Sequence, residues 1–250
     1  MINCKSEREI ELMRKAGRIV SEALCMAEDL AKSRVTTDTL NTELEKFVIQ
    51  KGGKPVFKGY RGYPKSICTS INEEIVHGIP SQRILNDGDI LSVDIGVEYS
   101  NYVADAAITI PIGEISQEMQ NLLDVCHESL LKAIGVLRSK VKLSAVSRAI
   151  QTYVEAKGFS VVRDYTGHGI GRQMHEEPQI PNFVNNELLK NDKTLLKGMA
   201  LAIEPMICVG GYATEVLKNN WTVVTKDRKF SAHYEHTVVI TDDGADILTK

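Results

Sequence analysis

A chain of 250 residues with 43% hydrophobic content carries enough apolar mass for a sizeable core, in one large domain or two small ones. Its 30 basic and 33 acidic residues leave a net charge of -3, which excludes a basic field for nucleic acid or an anionic membrane, and no apolar run approaches the roughly 18 residues that a bilayer span needs. No charged-then-apolar leader follows Met1, and Cys4, Cys25, Cys68, Cys126 and Cys208 are scattered without a Cys-x-x-Cys pair, so the expected setting is the reducing cytoplasm, with most of the thiols buried.

The first predicted element is a helix. Ser6 followed by Glu9 makes a capping box, and Ile10, Met13, Gly17, Val20, Leu24 and Ala27 recur at helical spacing towards Ser33. A second helix is predicted from Thr37 to the Gly52-Gly53 pair. From Val56 to Ile95 glycine, proline and β-branched residues take over, and Ile90 to Ile95 reads as a buried strand apart from its polar insertions. After Gly113 the order repeats, with a helix from Ser116 to Arg138, another from Ser144 to Lys157 stopped at Gly158, and strand-like segments to the end.

One pair of segments overlays closely. Asn86-Asp87-Gly88-Asp89-Ile90-Leu91-Ser92-Val93-Asp94 matches Leu196-Lys197-Gly198-Met199-Ala200-Leu201-Ala202-Ile203-Glu204, each running glycine, apolar strand and then an acid. An acid closing a buried strand is costly unless it is paired, so two of them imply a shared site. The expectation is an α+β fold, one catalytic domain over residues 1–250, in two similar halves of about 1–113 and 114–250 with the site between them.

Other acids also sit where core residues belong. Asp105 lies within Tyr102-Val103-Ala104-Asp105-Ala106-Ala107-Ile108, and Glu235 precedes His236 and the strand Thr237 to Ile240. The stretch GHGIGRQMHEEP, Gly167 to Pro178, adds His168 and His175 around its glycines. Four carboxylates packed together repel and take up protons unless cations neutralise them. Two divalent ions balance Asp94, Asp105, Glu204 and Glu235, and carboxylates with one imidazole suit manganese, iron(II) or cobalt better than a structural zinc. The chemistry expected is two-metal activation of a water, with the ions about 3.5 to 4 Å apart.

The motifs HGIP at His77, GHGIG at His168, HEEP at His175, IEPM at Glu204 and YEHT at Glu235, with the opening helix at Met13 to Arg18, resemble the type I methionine aminopeptidases of bacterial kind, subfamily A of peptidase family M24. The resemblance implies the pita-bread fold, two pseudo-symmetric α/β halves around a curved antiparallel sheet. It implies hydrolytic removal of the initiator methionine from nascent proteins and peptides when the second residue is small.

By the same resemblance Asp94, Asp105, His168, Glu204 and Glu235 are the metal ligands, with Asp94 and Glu235 bridging or chelating through two oxygens. Glu204 also shuttles the proton, His77 serves the leaving nitrogen, and His175 binds the scissile carbonyl oxygen. On spacing alone, a turn histidine before Gly78 and Pro80 remains open for His77. Tyr60, Tyr63, Cys68 and Trp221, the only tryptophan, match the methionine pocket. Phe57 and Met174 stand where bacterial members often carry cysteine and phenylalanine, and Ala106-Ala107 change the neighbours of Asp105. The implied partner is the N-terminal methionine of newly made chains, with transient ribosome contact through surface lysines, no specific nucleic acid, no membrane, and a monomer as the simplest state.

Two rivals share the ligand pattern or the fold. Proline-directed relatives such as prolidase usually carry an extra N-terminal domain, and binding modules of this fold usually lose ligands. The remaining polar residues get plain readings: His127 on a helix surface, His233 without a role, His236 orienting Glu235, Glu176 and Glu177 supporting or structural, and Lys226 to Lys229 a solvated turn.

Overall fold

A computed structural model describes residues 3–250. The first helix, α1 (Glu7–Leu30), starts at the expected capping box: Ser6 accepts from the Glu9 N–H, and the Glu9 carboxylate accepts from the Ser6 N–H at 2.8 Å. It stops at Leu30, short of Ser33, because the chain turns through Arg34 at φ 74° and bonds Arg34 and Val35 to Leu85 instead. The second, α2 (Thr37–Gln50), is capped by the Thr36 hydroxyl. Then come β1 (Lys54–Pro55), a short 3-10 turn at Tyr60–Gly62, β2 (Cys68–Ile71) and β3 (Glu74–Val76). The strand expected to Ile95 runs further: β4 (Ile90–Tyr99) and β5 (Tyr102–Pro111) form a hairpin through Ser100 and Asn101, at φ 52° and 64°. Two positive φ angles give a tight turn whose twist matches that of the strands.

The second round begins with α3 (Gln117–Gly135), capped by Ser116 and ending three residues before Arg138, and α4 (Leu143–Ala156). It continues with β6 (Ser160–Val161), β7 (Thr166–Gly169), β8 (Glu176–Pro181), the short α5 (Asn186–Lys190) and β9 (Ala200–Ile203). The end of the chain supplies β10 (Met206–Cys208), β11 (Thr214–Val216), β12 (Val223–Thr225), β13 (Ser231–His233), β14 (Glu235–Ile240) and β15 (Ala245–Ile247). The glycine-rich stretch is therefore mostly the β7–β8 hairpin.

The main sheet has nine strands in the order β1-β4-β5-β14-β9-β7-β8, with β2 on β4 and β15 on β14. All its ladders are antiparallel, as the α+β reading expects. The two strands that overlay in sequence, β4 and β9, each lie one strand out from the β5–β14 seam, on opposite sides of it. One apolar cluster packs Val20, Leu24, Leu40 and Leu44 of α1 and α2 on Leu91, Val93 and Ile95 of β4. Another packs Leu122, Cys126, Val146 and Ile150 of α3 and α4 on Leu201 and Ile203 of β9 and Val238 and Ile240 of β14. Fully burying one such side chain contributes about 1.5–3 kcal/mol.

Strand alternation turns this packing into a site. If Leu91, Val93 and Ile95 face the helices, Ser92, Asp94 and Gly96 face the other way. Three of the five cysteines, Cys68, Cys126 and Cys208, are buried, while Cys4 and Cys25 are exposed. Among the described residues no helix is long and apolar enough to cross a membrane.

Glu9 couples the cap of α1 to the sheet, because it also accepts the Tyr102 hydroxyl at 2.7 Å. These bonds, led by the Ser6 N–H, lower its pKa from 4.5 to about 2. A depressed carboxylate pKa stabilises the fold fully above the unfolded value, and the contribution fades as pH falls towards the folded one. Thermal melts of Glu9→Gln should therefore fall below wild type at neutral pH, with a gap that narrows as pH drops below 4.5. A gap independent of pH would contradict the assignment.

Candidate active site

The acids occupy the face of the sheet opposite the helices, and their registers are explicit. Cys68 of β2 pairs with Asp94, Asp94 pairs with Ala107 of β5, and Ala107 pairs with Glu235 of β14, so these four residues form one cross-strand row. Ala107, the small residue between Asp94 and Glu235, leaves the space between their carboxylates open. Asp105 lies beside that row, opposite Gly96, which has no side chain. Asp94 is thus within its strand, whereas the sequence pattern suggests a strand end. Ile203 pairs with His236, so Glu204 leaves β9 at the level of Glu235. Thr237 pins the seam: its hydroxyl accepts the Asp105 N–H at 2.9 Å and donates to the Asp105 carbonyl at 2.8 Å.

His168 reaches the acids from β7, where it pairs with Ala202. Its Nδ1 donates to the Gly169 carbonyl at 2.9 Å, leaving Nε2 free at 3.7 Å from Glu204 Oε1. Ligand atoms of Asp105, His168 and Glu235 all lie within 4.8 Å of one another. Gly169 permits the tight hairpin here, since a Cβ on it would come within 2.2 Å of the Glu177 carbonyl oxygen.

The electrostatics are those of a site built for cations. Asp94 Oδ1, Asp105 Oδ1 and Glu235 Oε1 are buried and find no hydrogen-bond partner among the described residues. Burial, with repulsion from the neighbouring carboxylates, drives Asp94, Glu204 and Glu235 well above the usual carboxylate range, and burial pushes Asp105 up to about 6. Burial lowers His168 to about 3 and so keeps it neutral, as a metal ligand must be. Anionic oxygens left unpaired in a dry site are tolerated when a divalent cation takes them up, so the donor set of carboxylates and one imidazole fits such ions.

The acids line a cleft of about 350 Å³. The residues that the resemblance assigns to catalysis and the methionine pocket line the same cleft: Tyr60, Tyr63, Cys68, His77, His175 and Trp221, together with Phe57 and Met174. Trp221 meets Tyr63 edge-on at 5.1 Å, and His77 meets Trp221 and Tyr165 edge-on at 6.3 and 5.8 Å. The Tyr63 hydroxyl donates to the Gly78 carbonyl at 2.8 Å. His77 is therefore part of the cleft wall, held in a left-handed conformation at φ 60° that is uncommon for a non-glycine residue. Gly78 must follow it, because a Cβ there would sit 2.1 Å from the Thr69 carbonyl oxygen. His175 stands exposed at the mouth, its ring centroid 4.3 Å from that of His168, and its Nδ1 lies 2.8 Å from the Tyr60 hydroxyl.

Several residues were not legible as site residues. His233 has its Nε2 3.8 Å from Glu204 and 4.0 Å from Glu235, without a hydrogen-bond partner among the described residues. Its position two residues before Glu235 was the available signal, because alternate residues on an extended chain share a face. Gln179 pairs with His168 across the hairpin, and Thr166 lies two residues before it; both line the cleft with Tyr165. His236 does not orient Glu235: it is on the opposite face, with Nδ1 bonded to the Thr249 hydroxyl at 2.9 Å. His127 is exposed on α3, and Lys226 to Lys229 form an exposed turn.

Comparison with known proteins agrees with this geometry. The model of metallopeptidase family M24 matches residues 11–242. The chain belongs to metallopeptidase family M24. A methionine aminopeptidase of Clostridium acetobutylicum is 50% identical over 250 residues, covering 100% of this chain and 99% of that protein. The crystal structure of methionine aminopeptidase from Thermotoga maritima superposes with a TM-score of 0.97 at 43% identity, with 100% of each chain covered. A prolidase from Pyrococcus furiosus shares the fold, with a TM-score of 0.81 at 22% identity over 99% of this chain and 65% of its own. The architecture is the pita-bread fold of the M24 family, and the M24 enzymes are metal-dependent.

The unpaired carboxylates yield a prediction independent of activity. Excess Mn²⁺ added to the metal-free protein should raise its melting temperature, since a ligand at a hundredfold its Kd stabilises by about 2.7 kcal/mol. Asp105→Asn should lose most of that rise in a thermal-shift assay. An unchanged melting temperature in the wild type would remove the reason for the cluster.

Proposed function

We propose that this M24 protein is a methionine aminopeptidase, a hydrolase that removes the N-terminal methionine from polypeptides and peptides when the second residue is small. The observation that carries the reading is the single cleft lined by the buried carboxylates and His168 together with Tyr63, Cys68 and Trp221. The full-length similarity to methionine aminopeptidases supports it. A thioether side chain is unbranched and polarizable, and suits a lining of aromatic rings and sulfur. Phe57 and Met174, both 7% exposed, close the edge of that lining.

Asp94, Asp105, His168, Glu204 and Glu235 would hold two divalent ions of manganese, iron(II) or cobalt. Such ions supply Lewis acidity to a carbonyl oxygen and make a water nucleophilic near neutral pH. Glu204 takes the proton of the attacking water on its carboxylate and returns it to the leaving amine nitrogen. His77, in the cleft wall against Trp221 and Tyr165, faces the leaving nitrogen. His175 donates from Nε2 to the scissile carbonyl oxygen and stabilises the charge that develops there. This role requires the tautomer in which the Tyr60 hydroxyl, 2.8 Å from Nδ1, donates to that nitrogen and the ring proton sits on Nε2. Partial desolvation and the Arg61 charge hold His175 below its usual pKa, so a neutral ring does the donating at neutral pH.

The chain works as one domain whose halves, about 1–113 and 114–250, meet at the β5–β14 seam. Because one chain supplies every residue of the cleft, a monomer suffices. The setting is the cytoplasm, where methionine-initiated chains emerge from the ribosome and surface lysines can touch it.

Steady-state assays on a panel of Met-Gly, Met-Ala and Xaa-Pro peptides test the reading. Methionine release from the first two is expected, and His175→Ala should lower kcat on the order of a hundredfold with metal content kept. Turnover only before proline would replace the reading with a proline-directed peptidase, and absence of metal and turnover would replace it with a binding module.

A further inference from the structure

The turn that presents His175 is tied to the segment ahead of α1 by an ion pair. Lys5, 6% exposed, lies in an extended stretch whose N–H donates to the Gly198 carbonyl at 2.6 Å, while Cys4 pairs with Met199. Its ammonium donates to Glu176 Oε2 at 2.6 Å, and the other Glu176 oxygen accepts the Gln173 N–H at 3.2 Å. The lysine stem runs against Gly171, where a Cβ would come within 2.4 Å of Lys5 Cε. Gly171 is itself fixed to β5, its carbonyl accepting the Val103 N–H at 2.7 Å. The turn from Gly171 to Glu176 is thus held by β5 at its start and by Lys5 at its end, with His175 next to the clamped carboxylate.

A buried ammonium or carboxylate that loses its partner is strongly unfavourable, so the pair specifies one geometry of the turn. Tyr60 holds the His175 ring from the other side of the cleft mouth. We propose that Lys5 is a positioning residue that acts through Glu176 to hold the 171–176 turn, and so His175, over the cleft. The proposal rests on the reading of His175 as the donor to the scissile carbonyl. Misplacing such a donor by a fraction of its hydrogen-bond reach reduces turnover without removing any reacting group.

A kinetic double-mutant cycle on the metal-loaded enzyme tests it, with kcat for a Met-Ala peptide, metal content and melting temperature measured for wild type, Lys5→Met, His175→Ala and the double variant. Lys5→Met should lower kcat by roughly tenfold to a hundredfold with metal content kept. The same change in the His175→Ala background should alter kcat by no more than about twofold, because its route of action is gone. Equal losses in both backgrounds, or wild-type kcat in Lys5→Met, would overturn the proposal even if the melting temperature falls. Should Lys5→Met fail to fold, Glu176→Gln, which keeps an acceptor for Gln173 but loses the charge, enters the same cycle. A His175→Ala enzyme with wild-type kcat would instead refute the reading of His175 itself.

Discussion

Four carboxylates on one buried face are the constraint to which the rest of the structure answers. Without a cation they repel, and burial raises the pKa of each. Folding must therefore supply a rigid frame that keeps them together. Antiparallel strands do so: β4 and β5 deliver Asp94 and Asp105, and β14 and β9 deliver Glu235 and Glu204, on opposite sides of one seam. The apolar residues that alternate with the acids pack on α1 and α2, or on α3 and α4, so the same strands bury the core on one side and carry the site on the other. Thr237, bonded in both directions to the Asp105 backbone, secures the seam where the two pairs meet.

Small residues do the spacing. Ala107 stands between Asp94 and Glu235, and Gly96 stands opposite Asp105. The pair Ala106-Ala107, a departure by resemblance, therefore has a structural reason at its second position: a larger side chain would point into the space the carboxylates share. Gly169 lets β7 and β8 approach closely enough for His168 and His175 to come together. The two histidines that look equivalent in the sequence are divided by depth, His168 being 6% exposed among the acids and His175 at the mouth.

Much of this was legible in the residues. The helices α1 and α2 follow from caps and spacing, and Asp94, Asp105, Glu204 and Glu235 announce themselves as acids in apolar strands. What stayed hidden depends on contacts distant in sequence. The end of α1 is decided by Leu85, which draws the chain out of the helix. The hairpin at Gly167 to Pro181 has too few apolar residues to show alternation, and α5 is too short for periodicity. Gln179 enters the site through its pairing with His168, which no local pattern encodes, whereas His233 follows from its two-residue spacing only once Glu235 is placed. No motif or spacing marks Lys5, yet tertiary structure buries its ammonium against Glu176.

The central claim, that this carboxylate cluster exists to hold divalent cations, is most directly tested by anomalous diffraction from crystals grown with Mn²⁺. The account predicts two anomalous peaks bounded by Asp94, Asp105, His168, Glu204 and Glu235. A cluster without a peak, its carboxylates settled by protons and mutual hydrogen bonds, would contradict it.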